Sequence, residues 1–270
     1  MIDELKRNQW EARAFAGDAA SQCHLGDVYF FSGDEPDDQQ WASYWYRRSA
    51  QQGYAEAQYN LGYQYEYGIG VDEDYEQARI WYEQAAAQGY GPAENNIGHL
   101  YETGCGVDQD YTKALYWYER AGDHGDADGQ CNAGIMYQFG YVNGPDYEKA
   151  AHWYALAAAQ GQYIAQNNLG YLYEMGQGVE KNEAEAANLY EKAAKSGDGP
   201  AANNIGQLYR DGRGVPQDFV QAAYWFAQSA AAGYKEGIKN YAHALETGEG
   251  VEKDAAQAAY WRTILTDEET

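Results

Sequence analysis

The residues of this chain that could do chemistry include paired glycines in turns such as Gly68-Ile69-Gly70-Val71. These turns resemble phosphate-binding loops in composition, but they follow a predicted helix and lack the further glycine or lysine that such loops need. Acidic residues such as Asp72 and Asp74 come directly after the turn and would repel phosphate. The paired glycines therefore indicate a helix stop followed by a tight turn.

No metal or catalytic site is predicted. Asp108 and Glu119 have the spacing of a calcium loop, but Lys113 occupies the position where glycine must allow the sharp turn. His99 and His243 share a repeat position but are four repeats apart, too far to bind one metal ion. No nucleophile motif is present. We therefore predict a non-enzymatic protein without catalytic residues, metal or cofactor.

A repeat of 36 residues organises the chain. It is marked by glycines at Gly26, Gly62, Gly98, Gly134, Gly170 and Gly206. One further step leads to Ala242, the next smallest side chain. A period held seven times without insertion or deletion predicts an array of stacked structural repeats.

Each repeat is predicted to contain two antiparallel helices. The first begins after a turn such as Gly17-Asp18, runs through the equivalents of residues 93–101 and ends at a glycine such as Gly104. The second carries an alanine such as Ala114 and, three residues later, a tryptophan such as Trp117. We expect glycine and alanine to let the helices approach while tryptophan fills the space beside them. No β-strand alternation is visible, so the predicted fold class is all-α.

The first residues form an incomplete unit. Trp10-Glu11-Ala12-Arg13-Ala14-Phe15-Ala16-Gly17 parallels the second helix around Trp45. We predict that residues 1–18 are an N-terminal capping helix and that residues 19–270 form one continuous domain of seven repeats.

Charge and hydropathy limit the partners. The formal net charge of −24 disfavours nucleic acids and anionic membranes and favours a basic partner. No apolar run is long enough to cross a membrane, and the N-terminus has no secretory h-region. A cytoplasmic monomer is the default expectation, or a periplasmic one if a leader has been removed. Cys23 and Cys131 are three repeats apart, so no disulfide is expected.

The repeat pattern resembles the Sel1-like repeat over about residues 19–265. Residues 55–90 carry it nearly complete: Ala55, Ala57, Gln58, Asn60, Leu61, Gly62, Tyr65, Gly68, Gly70, Val71, Ala78, Trp81, Tyr82, Ala85, Ala86 and Gly89. The resemblance implies a right-handed superhelical solenoid of antiparallel helix pairs, similar to tetratricopeptide arrays. It also implies an adaptor or scaffold that holds another protein. The chain departs from the pattern at residues 30–36, at residues 140–144 and at Ala242; the first two departures are expected to alter loops only.

Positions that vary between repeats indicate where a partner binds. On the first helix, the residues three before, one after and four after the glycine share a face but differ from repeat to repeat. By resemblance to tetratricopeptide arrays, this face lines a concave groove. Together with one asparagine next to it, the candidate partner-binding residues are Tyr59, Tyr63, Asn95, Asn96, His99, Glu102, Asn167, Tyr171, Glu174, Asn203, Gln207 and Arg210.

A row of asparagines two residues before the glycine allows two interpretations. The members are Asn60, Asn96, Asn132, Asn168, Asn204 and Asn240. Their amides could bond to a neighbouring helix backbone, or they could present paired donors and acceptors to a bound peptide. Both interpretations could hold at different repeats.

The predicted function is a protein–protein interaction scaffold that binds a protein or peptide in its groove. A more specific form is an immunity-type protein that neutralises a basic effector. The alternative is a secreted cell-wall- or β-lactam-binding, hydrolase-like protein, because some secreted relatives have such links. The missing secretory signal and the absence of cysteine pairs argue against that alternative. A structural homo-oligomer is a third possibility.

Overall fold

This computed structural model describes residues 4–32 and 37–267, with side chains from residue 10 to residue 265 apart from the gap. The described part contains fifteen α-helices and no strand. They are α1 (Glu4–Phe15), α2 (Ala19–Ser32), α3 (Asp38–Ala50), α4 (Ala55–Tyr67), α5 (Tyr75–Ala86), α6 (Gly91–Thr103), α7 (Tyr111–Asp123), α8 (Ala127–Phe139), α9 (Tyr147–Ala159), α10 (Tyr163–Met175), α11 (Glu183–Lys195), α12 (Gly199–Asp211), α13 (Phe219–Ala231), α14 (Lys235–Thr247) and α15 (Ala255–Asp267). The predicted all-α class is confirmed, with α2 to α15 forming seven helix pairs. None of these helices combines the length and apolar character that a membrane span requires.

The helix boundaries follow from local chemistry. Five first helices end at a glycine in the left-handed conformation, for example Gly104 with φ of 77°. At the opposite end, Asp18 and Asp198 accept hydrogen bonds from the backbone N–H groups of Ser21 (2.9 Å) and Ala201 (2.6 Å). These carboxylates satisfy amides that have no partner inside the helix, as the sequence predicts.

Departures from the repeat pattern leave the helix pairs intact. In the first repeat, α2 and α3 both form, while residues 33–36 of the turn lie outside the described residues. In the fourth repeat, α8 and α9 are joined by a turn in which Gly140 and Gly144 have positive φ. The prediction that these two departures leave the helix pairs intact is confirmed.

The space beside the repeat glycines is filled by tyrosine, which corrects the prediction that tryptophan would fill it. A Cβ placed on Gly98 would lie 2.7 Å from two ring carbons of Tyr118, so only glycine leaves room for that ring. The same contact recurs at the other repeat glycines, with Tyr46, Tyr82, Tyr154, Tyr190 and Phe226. The tryptophans occupy the preceding helix position, and Trp117 is only half-buried.

The seventh repeat has Ala242 where the others have glycine, and the residue opposite explains the difference. The ring position of the seventh repeat is taken by Arg262, whose exposed guanidinium contacts the Glu246 carboxylate at 2.8 Å. Because an exposed arginine replaces the buried aromatic residue at that position, a methyl group fits in place of the repeat glycine, and Ala242 is fully buried.

The chain divides into two compact units after residue 132. In the first, residues 1–132, buried Ala14 of α1 packs with Leu25 and Trp45. Further cores surround Tyr46 and Tyr82. In the second, residues 133–270, a larger core surrounds Tyr190 and a smaller one surrounds Ala242. The capping role of residues 1–18 and the single continuous domain remain predictions.

Candidate functional site

The candidate surface is the face of the first helices that varies between repeats. We call it the first-helix face and define it by the residues three before, one after and four after the repeat glycine. In the structure, the residue five after the glycine also belongs to this face, because it lies one helical turn beyond the residue one after the glycine.

Glutamates four residues after the glycine accept hydrogen bonds from the second helix of their own repeat. The buried hydroxyl of Tyr118 donates a hydrogen bond to the Glu102 carboxylate, and that of Tyr190 donates to Glu174 at 2.7 Å. Burial, followed by the glutamate, raises the pKa of both tyrosines above its ordinary value. Glu174 also pairs with Arg213 at 2.7 Å. Two predicted partner-binding residues, Glu102 and Glu174, therefore also hold the second helix in place.

Arg210 occupies the equivalent position of the sixth repeat. An arginine cannot accept a hydrogen bond, and the ring opposite is Phe226, which has no hydroxyl to donate. Arg210 instead pairs with Asp211, with 2.8 Å between Nε and Oδ1. The sequence contains this signal, since the acceptor and the tyrosine are lost together in one repeat.

Asparagines connect neighbouring repeats through their side chains. Asn132 Nδ2 donates to Asn95 Oδ1 at 2.9 Å in the first unit. In the second unit, the same bond joins Asn204 to Asn167 (3.1 Å) and Asn240 to Asn203 (2.7 Å). Asn96 differs, because its Nδ2 donates to the Tyr82 hydroxyl at 3.0 Å. These amides bond to side chains of the adjacent repeat rather than to its backbone.

The remaining predicted residues are more accessible. His99 and Tyr171 are exposed, whereas Tyr59, Tyr63 and Gln207 are half-buried. In the first unit, the structure brings Tyr59 and Tyr63 together at one cavity, and His99 is not among the residues that line it.

Exposed apolar side chains at the ends of four first helices were not singled out from the sequence. They occupy the fifth position after the glycine: Phe31 (80% exposed) and Tyr67 (53%) in the first unit, Phe139 (62%) and Met175 (49%) in the second. Tyr67 stacks near Tyr63, with 4.5 Å between ring centroids. Contiguous apolar groups on a surface mark sites that bind another molecule. In the first unit, ring contacts join Phe31, Phe30, Tyr63 and Tyr67 into one such patch.

A cavity of about 490 Å³ opens on this face in the first unit, between the first two repeats. It is lined by Asp27, Phe30, Phe31, Tyr46, Glu56, Tyr59, Asn60, Tyr63 and Tyr90. Burial, followed by the charge of Glu56, raises the pKa of Tyr90 to about 12. Burial is also the main cause that raises the pKa of Tyr59 to about 12. Both hydroxyls are therefore protonated donors at neutral pH.

Next to this cavity lies a group with metal-ligand chemistry. Atoms of Cys23, Asp27 and Glu56 lie within 4.8 Å of one another. The Cys23 thiol is fully buried, and burial, then Asp27 and Glu56, raises its pKa. A thiol must lose its proton to bind a metal, and this environment opposes that loss.

Comparison with known proteins identifies the repeat. The sequence model of the Sel1 repeat matches residues 19–54, 55–90, 91–126, 127–162, 164–198, 199–234 and 236–261. The chain belongs to the Sel1 repeat family. Sel1 repeat proteins are typically protein-interaction scaffolds. No curated protein matches the chain significantly.

Solved structures of Sel1 repeat proteins are similar to the chain. A protective antigen present in uropathogenic Escherichia coli strains is 37% identical over 97% of this chain, with a TM-score of 0.85. The chain spans 56% of that antigen's length. A Sel1 repeat protein from Oxalobacter formigenes is 28% identical over 90% of this chain and 96% of its own, with a TM-score of 0.78. An immunity protein from Pseudomonas aeruginosa shares the fold, with 16% identity over 78% of this chain and 83% of its own and a TM-score of 0.52.

Proposed function

We propose that this Sel1 repeat protein is a non-enzymatic scaffold that binds a basic protein or peptide along the first-helix face. The observation that carries the proposal is the exposure of Phe31 and Tyr67 on that face in the first unit and of Phe139 and Met175 in the second. Aromatic side chains supply large contact areas at low entropic cost, and aromatic residues and methionine are enriched in protein interfaces.

The basic character of the partner is supported by charge. The chain carries 42 acidic and 18 basic residues, and the acidic excess is greater in its first half. A positive partner would be attracted over distances of about 10 Å at moderate salt. An immunity-type protein that neutralises a basic effector is the specific form of this proposal, and it rests on charge, since the immunity protein compared above is similar in fold only.

Affinity capture from the source organism at increasing salt tests the proposal. We expect a retained protein of basic composition whose affinity falls as salt rises, because the attraction between exposed charges is screened. An affinity that is unchanged between low and high salt would contradict the electrostatic part.

Tyrosine variants locate the binding face. Tyr63→Ala and Tyr171→Ala should each weaken capture by about tenfold or more, as expected for aromatic contact residues. Tyr116→Ala and Tyr224→Ala remove tyrosines of second helices that are 53% and 51% exposed, and they serve as controls on the other helix of the repeat. Equal loss in both pairs would place binding elsewhere, and circular dichroism shows whether the variants stay folded.

A further inference from the structure

The cavity of the first unit has aromatic walls. The Phe30 ring of α2 lies near Phe31 and near Tyr63 of α4, with 5.1 Å and 6.3 Å between ring centroids. Tyr59 and Tyr90 form a second aromatic pair in the lining, with 5.5 Å between their ring centroids. Such rings offer electron-rich faces that attract organic cations.

Two carboxylates complete the cavity. Asp27 accepts hydrogen bonds from the Tyr46 hydroxyl (2.8 Å) and from Asn60 Nδ2 (3.3 Å). Glu56 accepts one from the Tyr54 hydroxyl at 3.2 Å. All of these donors are neutral, so they leave the negative charges uncompensated.

Positive charge is scarce around the cavity. Among the described residues that line it there is no lysine or arginine. The imidazole of His24 is close to one carboxylate, with 3.5 Å between its Nδ1 and Asp27 Oδ2. Oxygens of Asp27 and Glu56 lie within 4.8 Å of each other, so the two negative charges repel and a bound cation would relieve that repulsion.

This acidic pair is particular to one repeat junction. The positions of Asp27 and Glu56 in the other pairs of successive repeats hold Tyr63 with Pro92, His99 with Asp128, Ile135 with Ile164, Tyr171 with Pro200 and Gln207 with Glu236. The helix pairs form with any of these combinations, so the fold does not require two carboxylates here. A feature that costs electrostatic energy and that the repeat does not need points to a ligand.

We propose that this cavity receives an arginine side chain of the partner, an inference that rests on the scaffold function proposed above. A guanidinium is planar, so it stacks on aromatic rings while its separate N–H groups donate to both carboxylates. A lysine ammonium is a compact, strongly hydrated charge that gains less from stacking. A metal ion fits less well, because Cys23 is fully buried and hard cations take six or more oxygen ligands.

Peptide titration of the full chain tests the inference. The probe is N-acetyl-Gly-Arg-Gly-amide, followed by calorimetry or NMR at low salt, with citrulline and lysine in place of arginine as comparison peptides. We expect saturable binding of the arginine peptide and at least about tenfold weaker binding of both comparison peptides, since a charge-assisted bidentate contact is lost. Equal binding of the citrulline peptide, or no binding of the arginine peptide, would overturn the inference.

Matched variants assign the binding to this cavity. Glu56→Gln and Asp27→Asn keep the shape and one acceptor oxygen but remove the charge, and each should weaken binding of the arginine peptide by about tenfold. Glu236→Gln, at the same position of the seventh repeat, should leave it unchanged. Binding that survives Glu56→Gln would overturn the inference, as would a melting temperature raised by Ca²⁺ or Zn²⁺ in a Glu56-dependent way. Capture of a partner by a Glu56→Gln chain at full affinity would reject this cavity while leaving the scaffold function standing.

Discussion

Each buried tyrosine of the second helices is placed by two neighbours, the glycine against its ring and the acceptor at its hydroxyl. Tyr82 lies against Gly62 and donates to Glu66 at 2.6 Å. Tyr154 lies against Gly134 and donates to Gln138 at 2.6 Å. The glycine lets the ring approach, and the acceptor satisfies the buried hydroxyl, so removing either should destabilise the repeat.

Gly98→Ala tests the steric part. In a helix with free space around it, alanine is more stable than glycine by about 1 kcal/mol. Here, however, the added methyl group would lie 2.7 Å from the Tyr118 ring and 3.2 Å from the Ala114 carbonyl oxygen. We therefore expect a loss of about 1–3 kcal/mol in the free energy of unfolding, measured by urea denaturation. The reverse change, Ala242→Gly, should also destabilise the chain, because it removes a buried methyl group as well as the helix preference for alanine. A stabilised Gly98→Ala chain would refute this packing.

Gln64→Leu tests a buried polar group. Gln64 is fully buried, and neither atom of its side-chain amide has a hydrogen-bond partner among the described residues. Leu100, Leu172 and Leu208 occupy the same position in other repeats and are buried. Because leucine needs no partner, the substitution should raise the free energy of unfolding by about 1–3 kcal/mol. The reciprocal change, Leu100→Gln, should lower it, and a destabilised Gln64→Leu chain would show that the amide is satisfied in solution.

Between helices, a glutamine near the start of four first helices bonds to the end of the preceding second helix. The Nε2 atom of Gln22 donates to the carbonyl oxygen of Ala14 at 2.9 Å, and that of Gln130 donates to Gly122 at 3.0 Å. Each of these carbonyls also accepts a backbone N–H from the turn that follows, from Gly17 and Gly125 respectively at 3.0 Å, so the glutamine uses the second lone pair of the oxygen. The glutamine bonds join consecutive helices independently of side-chain packing.

The third repeat replaces this glutamine with Glu94, which is fully buried. A carboxylate cannot donate to a carbonyl, and Glu94 turns to α7 instead. Its Oε2 lies 2.6 Å from His124 Nδ1 and its Oε1 lies 2.7 Å from Arg120 Nη2. The Arg120 contact is an ion pair by distance and does not have hydrogen-bond geometry.

A double-mutant cycle on Glu94 and Arg120 tests this exchange. Arg120→Ala should cost about 3 kcal/mol of unfolding free energy, because it leaves a buried carboxylate with only His124. Glu94→Gln should cost less than about 1 kcal/mol, since glutamine can donate to the preceding helix as its equivalents do. The double variant should resemble Glu94→Gln alone. Additive losses would show that the two side chains do not interact.

For the whole molecule, buried tyrosines make the free energy of unfolding depend on pH in the alkaline range. The pKa of Tyr59 and Tyr90 is raised to about 12, and that of Tyr82, Tyr118 and Tyr190 is raised further, chiefly by burial. In the unfolded chain these groups titrate near 10. The folded state therefore holds protons that the unfolded state has lost, and stability is full below about pH 10 and falls as pH rises above it.

Alkaline unfolding followed by helical circular dichroism measures this linkage. We expect tyrosinate absorbance to appear together with loss of helix above about pH 10, each buried tyrosine contributing up to about 1.4 kcal/mol per pH unit. Tyr118→Phe should make the fall less steep, because it removes one of the buried hydroxyls whose pKa is raised. Full tyrosine titration near pH 10 in a chain that stays helical would contradict the burial.

The fold could be predicted because the period of the repeat fixes both helices and their ends. The identity of the residue that packs against the repeat glycine could not be predicted. Trp45 and Tyr46 are neighbours in sequence and point about 100° apart on the helix, so a small error in helix orientation exchanges them. Tyr59 and Tyr63 could be assigned to a varying face. Asp27 and Glu56 were not chosen as a pair, because their proximity depends on how one repeat lies against the next, which spacing along the chain does not give.

Hydrogen exchange of the chain with its captured partner tests the binding face most directly. With partner bound, we expect slowed exchange in the first helices, α4 and α10 above all, while the second helices α7 and α13 exchange as in the free chain. Protection of the second helices with unchanged exchange in α4 and α10 would contradict the assignment of the first-helix face as the site of partner binding.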